Sequence, residues 1–142
     1  QFLGFVGEEH LQKLYRECDV FVAPSLYESF GLVFLEAMNY ARPVIGCRAG
    51  GPEDIIVDGE TGLLVSPQNP QALADALIRL VRSSEERAEL GRAGRRRLLD
   101  RYSHTAMAEG FVDAYRSVLA SGEAPSGRLS RESAGGESGG AE

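Results

Sequence analysis

Short apolar runs alternate with helical segments through the first half of this 142-residue chain, and this alternation restricts the fold more than any other feature. The predicted strands are Phe2–Val6, Val20–Ala23, Val44–Cys47 and Leu63–Val65. Continuous apolar runs of this length are typical of strands buried on both faces of a parallel sheet. Helices between parallel strands form right-handed crossovers, so we expect an α/β fold with a parallel, doubly wound, Rossmann-like sheet.

The last third of the chain is predicted to be helical. Asn69 and Ser83 each precede an amphipathic segment, where their side chains are suited to accept a backbone N–H at a helix start. After Ala120 the composition changes sharply to Gly, Ser, Glu and Ala. We therefore predict one domain over residues 1–120, followed by a disordered tail over residues 121–142.

Composition excludes several classes of function. The net charge of −6 argues against a nucleic-acid-binding protein, and the arginines at 92–101 are interspersed with acids, as on a solvated helix face. No apolar run approaches the roughly 20 residues that cross a bilayer, so no membrane contact is indicated. The cysteines, Cys18 and Cys47, and the separated histidines, His10 and His104, do not have zinc-type spacing, so no metal site is predicted. Two buried thiols are typical of a reducing compartment, and we expect a cytoplasmic protein.

The segment from Glu28 to Glu36 is the strongest indication of function. Its two carboxylates stand eight positions apart around a nearly apolar helix start. With the helix beginning near Phe30, Glu36 would lie roughly 9 Å along the axis, while Glu28 would stay in the preceding loop. We expect protein to cover both sides of this helix, where an unpaired carboxylate costs about 2 kcal/mol or more. Glu36 therefore requires either a dedicated partner or a cleft.

The helix start between the two acids is a predicted anion site. Its free backbone N–H groups and the positive end of the helix dipole favour a bound anion. A nucleoside diphosphate sugar has the matching order of sugar hydroxyls, diphosphate and ribose hydroxyls, and carboxylates accept strong hydrogen bonds from hydroxyls. The alternative is that Glu28 is a solvated loop acid and Glu36 a rim residue, since charged side chains are mostly exposed.

This segment resembles the E-x7-E signature of retaining, nucleotide-sugar-dependent glycosyltransferases of the sucrose-synthase and mannosyltransferase group, family 4. Further segments look like that family's pattern in the same order, namely Phe5 to Gly7, Asp19 to Ser25, Pro43 to Gly46, Gly50 to Glu53 and Asp58 to Val65. The resemblance covers roughly residues 2–119. It departs at Ala41-Arg42, where relatives commonly carry glycine, so we expect Asn39 to supply the residue with positive φ after the helix.

The resemblance implies the GT-B architecture of two facing doubly wound domains, of which this chain would be most of the C-terminal, donor-binding one. Glu28 is the candidate catalytic residue and would contact hydroxyls of the donor sugar, while Glu36 would hold the ribose hydroxyls. The candidate donor-binding residues are Ser29, Phe30, Gly31, Leu32, Glu36, Gly50 and Gly51. Family members transfer the sugar with retained configuration and without a cofactor or an essential metal.

The partners implied are a nucleotide sugar and an acceptor of unknown class. The start at Gln1, inside an apolar stretch, favours a fragment that lacks the N-terminal acceptor domain and has weak or no activity alone. Two other readings stay open, a non-catalytic or truncated nucleotide-sugar-binding module and a GT-B sugar-nucleotide epimerase. The Gly50-Gly51 segment could also be merely a tight turn.

Overall fold

Three parallel strands form the sheet, in the order β1 (Phe21–Ala23), β2 (Val44–Cys47) and β3 (Leu63–Val65). The register places Val22 opposite Ile45. Each strand pairs with its neighbour in the chain after a helical crossover, which confirms the predicted parallel α/β arrangement.

The computed structural model describes residues 1–121, and the helices in that range are α1 (Glu8–Glu17), α2 (Leu32–Asn39), α3 (Pro52–Ile55), α4 (Pro70–Arg82), α5 (Ser84–Arg101) and α6 (His104–Ser121). Asn69 and Ser83 cap α4 and α5 through bonds from the N–H groups of Ala72 and Glu86, as predicted. The predicted tail at 121–142 lies almost entirely outside the described residues. None of the helices described has the length and hydropathy needed to cross a bilayer.

The chain divides into two compact units. The first, Gln1–Met107, contains the sheet and α1 to α5. The second starts at Ala108, within α6, and there Phe111 and Tyr115 are exposed.

Both faces of the sheet are covered by apolar clusters. Val44 of β2 belongs to the cluster that contains Phe34 and Met38 of α2, whereas the next residue, Ile45, lies in the cluster around Leu80 of α4. All five side chains are fully buried. Because successive strand residues point to opposite faces, a strand covered on both sides has to be apolar throughout.

The predicted strand at Phe2–Val6 is wrong. These residues form irregular backbone before α1, and the side chains of Phe2 and Phe5 are almost completely exposed. A strand requires a neighbour that accepts its backbone hydrogen bonds. Within residues 1–121, β1 pairs only with β2, so no strand is present to hold the Phe2–Val6 segment in an extended ladder.

Helix α5 lies directly against α2 and the turn that follows it. A Cβ added at Gly91 would overlap the carbonyl oxygen of Ala41, and one at Gly94 would lie 3.1 Å from Cγ of Met38. Interior glycines cost a helix about 1 kcal/mol each relative to alanine. Gly91 is therefore explained by the close approach of the Ala41 carbonyl, and Gly94 by that of the buried Met38 side chain.

The turn after α2 is a Schellman motif. Arg42 N donates to Ala37 O at 3.1 Å, and Ala41 N donates to Met38 O at 2.9 Å. Ala41 itself has φ of 53°, and Asn39 is helical, so the prediction that Asn39 takes the positive φ is wrong. The hydrogen-bond pattern requires the left-handed conformation at the position of Ala41, whatever its side chain.

Candidate functional site

Two loops meet beyond the carboxyl ends of β1 and β2, as the alternating pattern predicts. Glu28 N donates to Ala49 O at 3.1 Å, and Gly51 N donates to Glu28 O at 2.7 Å. These bonds extend the parallel pairing of the two strands into their loops. Ligands of open α/β sheets bind at this edge, so the first acid of the signature stands at the edge where such sheets hold their ligands.

Gly50 and Gly51 are explained by this contact between the loops. Gly50 has φ of 88°, and a Cβ there would lie 2.7 Å from Glu28 O, while a Cβ at Gly51 would overlap Phe30 O. Their N–H groups are engaged within the protein, by Glu53 Oε2 at 3.3 Å and by Glu28 O. The structure therefore assigns the glycine pair a role in joining the loops, and its contact with a donor stays a prediction.

The opening turn of α2 starts at a left-handed glycine. Gly31 is the N-cap with φ of 97°, and a Cβ there would lie 2.8 Å from the ring of Phe34. Helix α2 begins at Leu32, two residues later than predicted, and the N–H groups of Leu32 and Val33 have no intrahelical acceptor. Ser29 and Leu32 are exposed, and Phe30 is 45% exposed, so this turn is open to solvent.

Glu28 lies beside this opening turn. Its side chain is half-buried, and its Cγ is 3.5 Å from the point where a Cβ on Gly31 would stand. Phe30 N donates to Glu28 Oε1 at 3.5 Å, which is a long and weak hydrogen bond. The carboxylate is therefore close to the helix start and is not tightly bound by the protein.

Glu36 stands one turn further along the same helix. Because α2 begins at Leu32, Glu36 lies about 6 Å along the axis rather than the roughly 9 Å predicted. The hydroxyl of Tyr15 in α1 donates to Glu36 Oε2 at 2.7 Å, and the glutamate is otherwise exposed. The pKa of Tyr15 is raised well above its ordinary value, mainly because burial disfavours the charged phenolate and secondly because the Glu36 carboxylate accepts its proton in a hydrogen bond and repels the phenolate.

A cleft of about 510 Å³ adjoins Glu36. Leu32 and Asn39 of α2 line one side, and Leu98 and His104 of the α5–α6 junction line the other. The expectation that protein covers both sides of α2 is wrong, because Leu32 is 62% exposed and Asn39 is also exposed. Glu36 thus has both a dedicated partner and an adjoining cleft.

Residues 1–97 match the sequence pattern of the family described as "Glycosyl transferases group 1". The chain belongs to this family. It is 39% identical over 118 residues to a D-inositol 3-phosphate glycosyltransferase of Corynebacterium urealyticum, an alignment that covers 83% of this chain and 28% of that protein.

Solved structures agree with this assignment. Sucrose-phosphate synthase from Thermosynechococcus elongatus is 38% identical with a TM-score of 0.75, over 85% of this chain and 30% of that one. A mutant of S. aureus TarM, in complex with fondaparinux, alpha-GlcNAc-glycerol and UDP, is 32% identical with a TM-score of 0.67, over 72% and 21%. The fold is the Rossmann-like half-domain of a GT-B glycosyltransferase, and the chain spans under a third of the length of these relatives.

In this member of the glycosyltransferase family, Arg97 of α5 and Tyr102, the C-cap of α5, contact the site loops in a way that sequence analysis missed. The ring of Phe30 packs edge-on against Tyr102, with centroids 6.3 Å apart, and the Tyr102 hydroxyl donates to Asp54 O at 2.7 Å. Arg97 Nε donates to Ile55 O at 2.7 Å. The interpretation of the arginines at 92–101 as a solvated face is therefore wrong for Arg97, which caps the end of α3. The spacing of residues in one sequence indicates only contacts within an element or a turn, and these residues are more than 40 positions apart.

Within residues 1–121, no group of three or more His, Cys, Asp or Glu side chains is arranged to hold a metal ion. Cys18 is half-buried and Cys47 is buried, and both are free thiols. The polar groups at the candidate site are therefore the two glutamates, Ser29 and the backbone N–H groups of the α2 start.

Proposed function

We propose that this chain is the donor-binding half of a retaining, family 4-type glycosyltransferase that transfers a sugar from a nucleoside diphosphate to an acceptor. The observation that carries the proposal is the solvent-open first turn of α2 with Glu28 beside it and Glu36 one turn further along. In this arrangement the carboxylates of Glu28 and Glu36 can accept hydrogen bonds from hydroxyl groups of a ligand whose anionic part binds at the helix start between them.

The proposed roles follow the order of groups along the donor. Glu28 accepts hydrogen bonds from hydroxyls of the sugar, which its weak bond to Phe30 N leaves it free to do. The first-turn N–H groups, including that of Leu32, face the diphosphate. Glu36 holds the ribose hydroxyls through the carboxylate oxygen that Tyr15 does not occupy. The departing diphosphate is stabilised by fixed protein dipoles, without a metal or a cofactor.

The relatives support a nucleotide-sugar donor in general terms, since a TarM structure contains UDP. Because the chain covers 28% of the inositol phosphate glycosyltransferase, we assign acceptor binding to an N-terminal domain outside these residues. Two free thiols favour a cytoplasmic setting for the complete enzyme.

The ribose role is tested in the full natural protein that contains this chain, by calorimetry with UDP, GDP and ADP. Glu36→Ala should weaken binding of the preferred nucleotide by about 1.5 to 3 kcal/mol, because charge-assisted hydrogen bonds are lost. Asn39→Ala is the matched control, since it truncates an exposed polar side chain one turn further along the same cleft. Unchanged affinity in Glu36→Ala would contradict the ribose role.

Turnover distinguishes the roles of the two acids in the same protein. Glu28→Gln should lower the rate of sugar transfer more than it lowers nucleotide affinity, because Glu28 is assigned to the sugar end.

The configuration of the product is tested separately, by NMR of its anomeric proton, which should show retention. Conversion of the donor to an epimer in the absence of any acceptor would identify a GT-B epimerase instead.

A further inference from the structure

We propose that Tyr15 is a positioning residue that orients Glu36 for the ribose, an inference that rests on the function proposed above. The hydroxyl of Tyr15 donates to Glu36 Oε2 at 2.7 Å across two different helices, α1 and α2. A hydrogen bond of this length from a phenol to a carboxylate is charge-assisted and therefore strong.

The Tyr15 ring is fixed by the core. It is 7% exposed and lies in the cluster that contains Phe34 and Met38. Its centroid is 5.5 Å from that of Phe21 and 6.3 Å from that of Tyr40, which stacks nearly parallel to it. Because close-packed neighbours leave the ring little freedom, the position of its hydroxyl is set by the sheet and by α1.

Glu36 by itself is a long, exposed side chain with many rotamers. The bond from Tyr15 holds one of its oxygens and leaves Oε1 with its acceptor sites available. A ligand that meets a carboxylate already in place does not have to immobilise it, and this preorganisation increases affinity. The simpler alternative is that the bond only satisfies the hydroxyl of a buried tyrosine.

Ribose discrimination separates these two explanations. In the full natural protein, binding of UDP, GDP and ADP is compared with that of their 2′,3′-dideoxy analogues, for wild type and Tyr15→Phe. The variant should lose about three- to tenfold in affinity for the preferred ribonucleotide, the usual effect of freeing one flexible side chain, and nothing for its dideoxy analogue. If the role of Tyr15 is purely structural, the ratio of the two affinities will be the same in the variant as in wild type. That result would overturn the proposal.

Tyr40→Phe is the matched control, because it removes a hydroxyl from the ring that stacks on Tyr15 and leaves the bond to Glu36 intact. Its ribose discrimination should equal that of wild type. The double variant Tyr15→Phe/Glu36→Ala should discriminate no less than Glu36→Ala alone, because without the carboxylate there is nothing to orient. A further loss in the double variant would contradict the positioning role.

The same measurements distinguish failure of this inference from failure of the proposed function. Glu36→Ala with full ribose discrimination would refute the ribose site itself. Loss of discrimination in Glu36→Ala with an unchanged ratio in Tyr15→Phe would refute only the positioning role.

If Tyr15→Phe does not fold, NMR of the wild-type protein labelled with ¹³Cζ-tyrosine replaces the comparison of variants. The Tyr15 resonance, assigned through its contact with Phe21, should shift with the ribonucleotide and not with the dideoxy analogue, and equal shifts would overturn the proposal.

Discussion

Gly51→Ala tests the contact between the two site loops, and the sign of its effect is diagnostic. Gly51 has φ of −47° and ψ of −38°, a conformation that alanine adopts without strain. In the absence of a steric clash, the substitution should stabilise the protein by about 0.4 to 1 kcal/mol, because it reduces the freedom of the unfolded chain. Any destabilisation therefore comes from the surroundings of the added methyl group.

Those surroundings consist of backbone. The new Cβ would overlap the carbonyl oxygen of Phe30, which cannot rotate away as a side chain does. The loops have to separate, and the bonds from Gly51 N to Glu28 O and from Glu28 N to Ala49 O are then weakened or lost. The two bonds together are worth about 1 to 3 kcal/mol, and the gain from the unfolded state is about 0.4 to 1 kcal/mol, so the midpoints of these ranges give a net destabilisation of about 1.3 kcal/mol.

Urea unfolding of the full natural protein measures the change in stability, and calorimetry with the preferred nucleotide measures the effect on the site. Binding should weaken as well, because Glu28 moves with its loop. Gly110→Ala inside α6 is the control, since apart from its chain neighbours and its own helix no heavy atom lies within 4 Å of the added Cβ, and it should be as stable as wild type or more stable. A Gly51→Ala protein as stable as wild type, or more stable, would refute the close approach of the loops.

Two further predictions concern the turn after α2 and the buried phenol. Ala41→Gly should stabilise the protein by about 0.5 to 1 kcal/mol, as measured by urea unfolding. The reason is that relief of the left-handed strain at Ala41 exceeds the entropy cost of glycine in the unfolded chain. A loss of stability would contradict the Schellman geometry. The tyrosinate absorbance assigned to Tyr15, taken as wild type minus Tyr15→Phe, should appear only well above the ordinary tyrosine pKa. Folding favours the neutral phenol, so this stabilisation is complete below that ordinary pKa and is lost as the pH rises through the raised one. Titration of Tyr15 at the ordinary tyrosine pKa would refute its burial against Glu36.

The elements that sequence predicted correctly share one property, which is that a short stretch of chain is enough to specify them. The β2 strand is apolar at four successive positions because both of its faces are covered. Asn69 and Ser83 cap helices through bonds to residues three positions away. Two of the wrong predictions, the exact start of α2 and the strand at Phe2–Val6, depend on a left-handed glycine and on a neighbouring strand.

Sequence by itself determined the parallel α/β class and the two acids that bracket a helix start, because backbone propensity and residue spacing act within one or two turns. Only the tertiary structure decided that Tyr15 holds Glu36, that Gly51 lies against Phe30, and that Arg97 caps α3. These partners are separated by 21 to 42 positions along the chain. Their meeting depends on strand register and on the packing of α1 and α5 against the sheet, which no local pattern encodes.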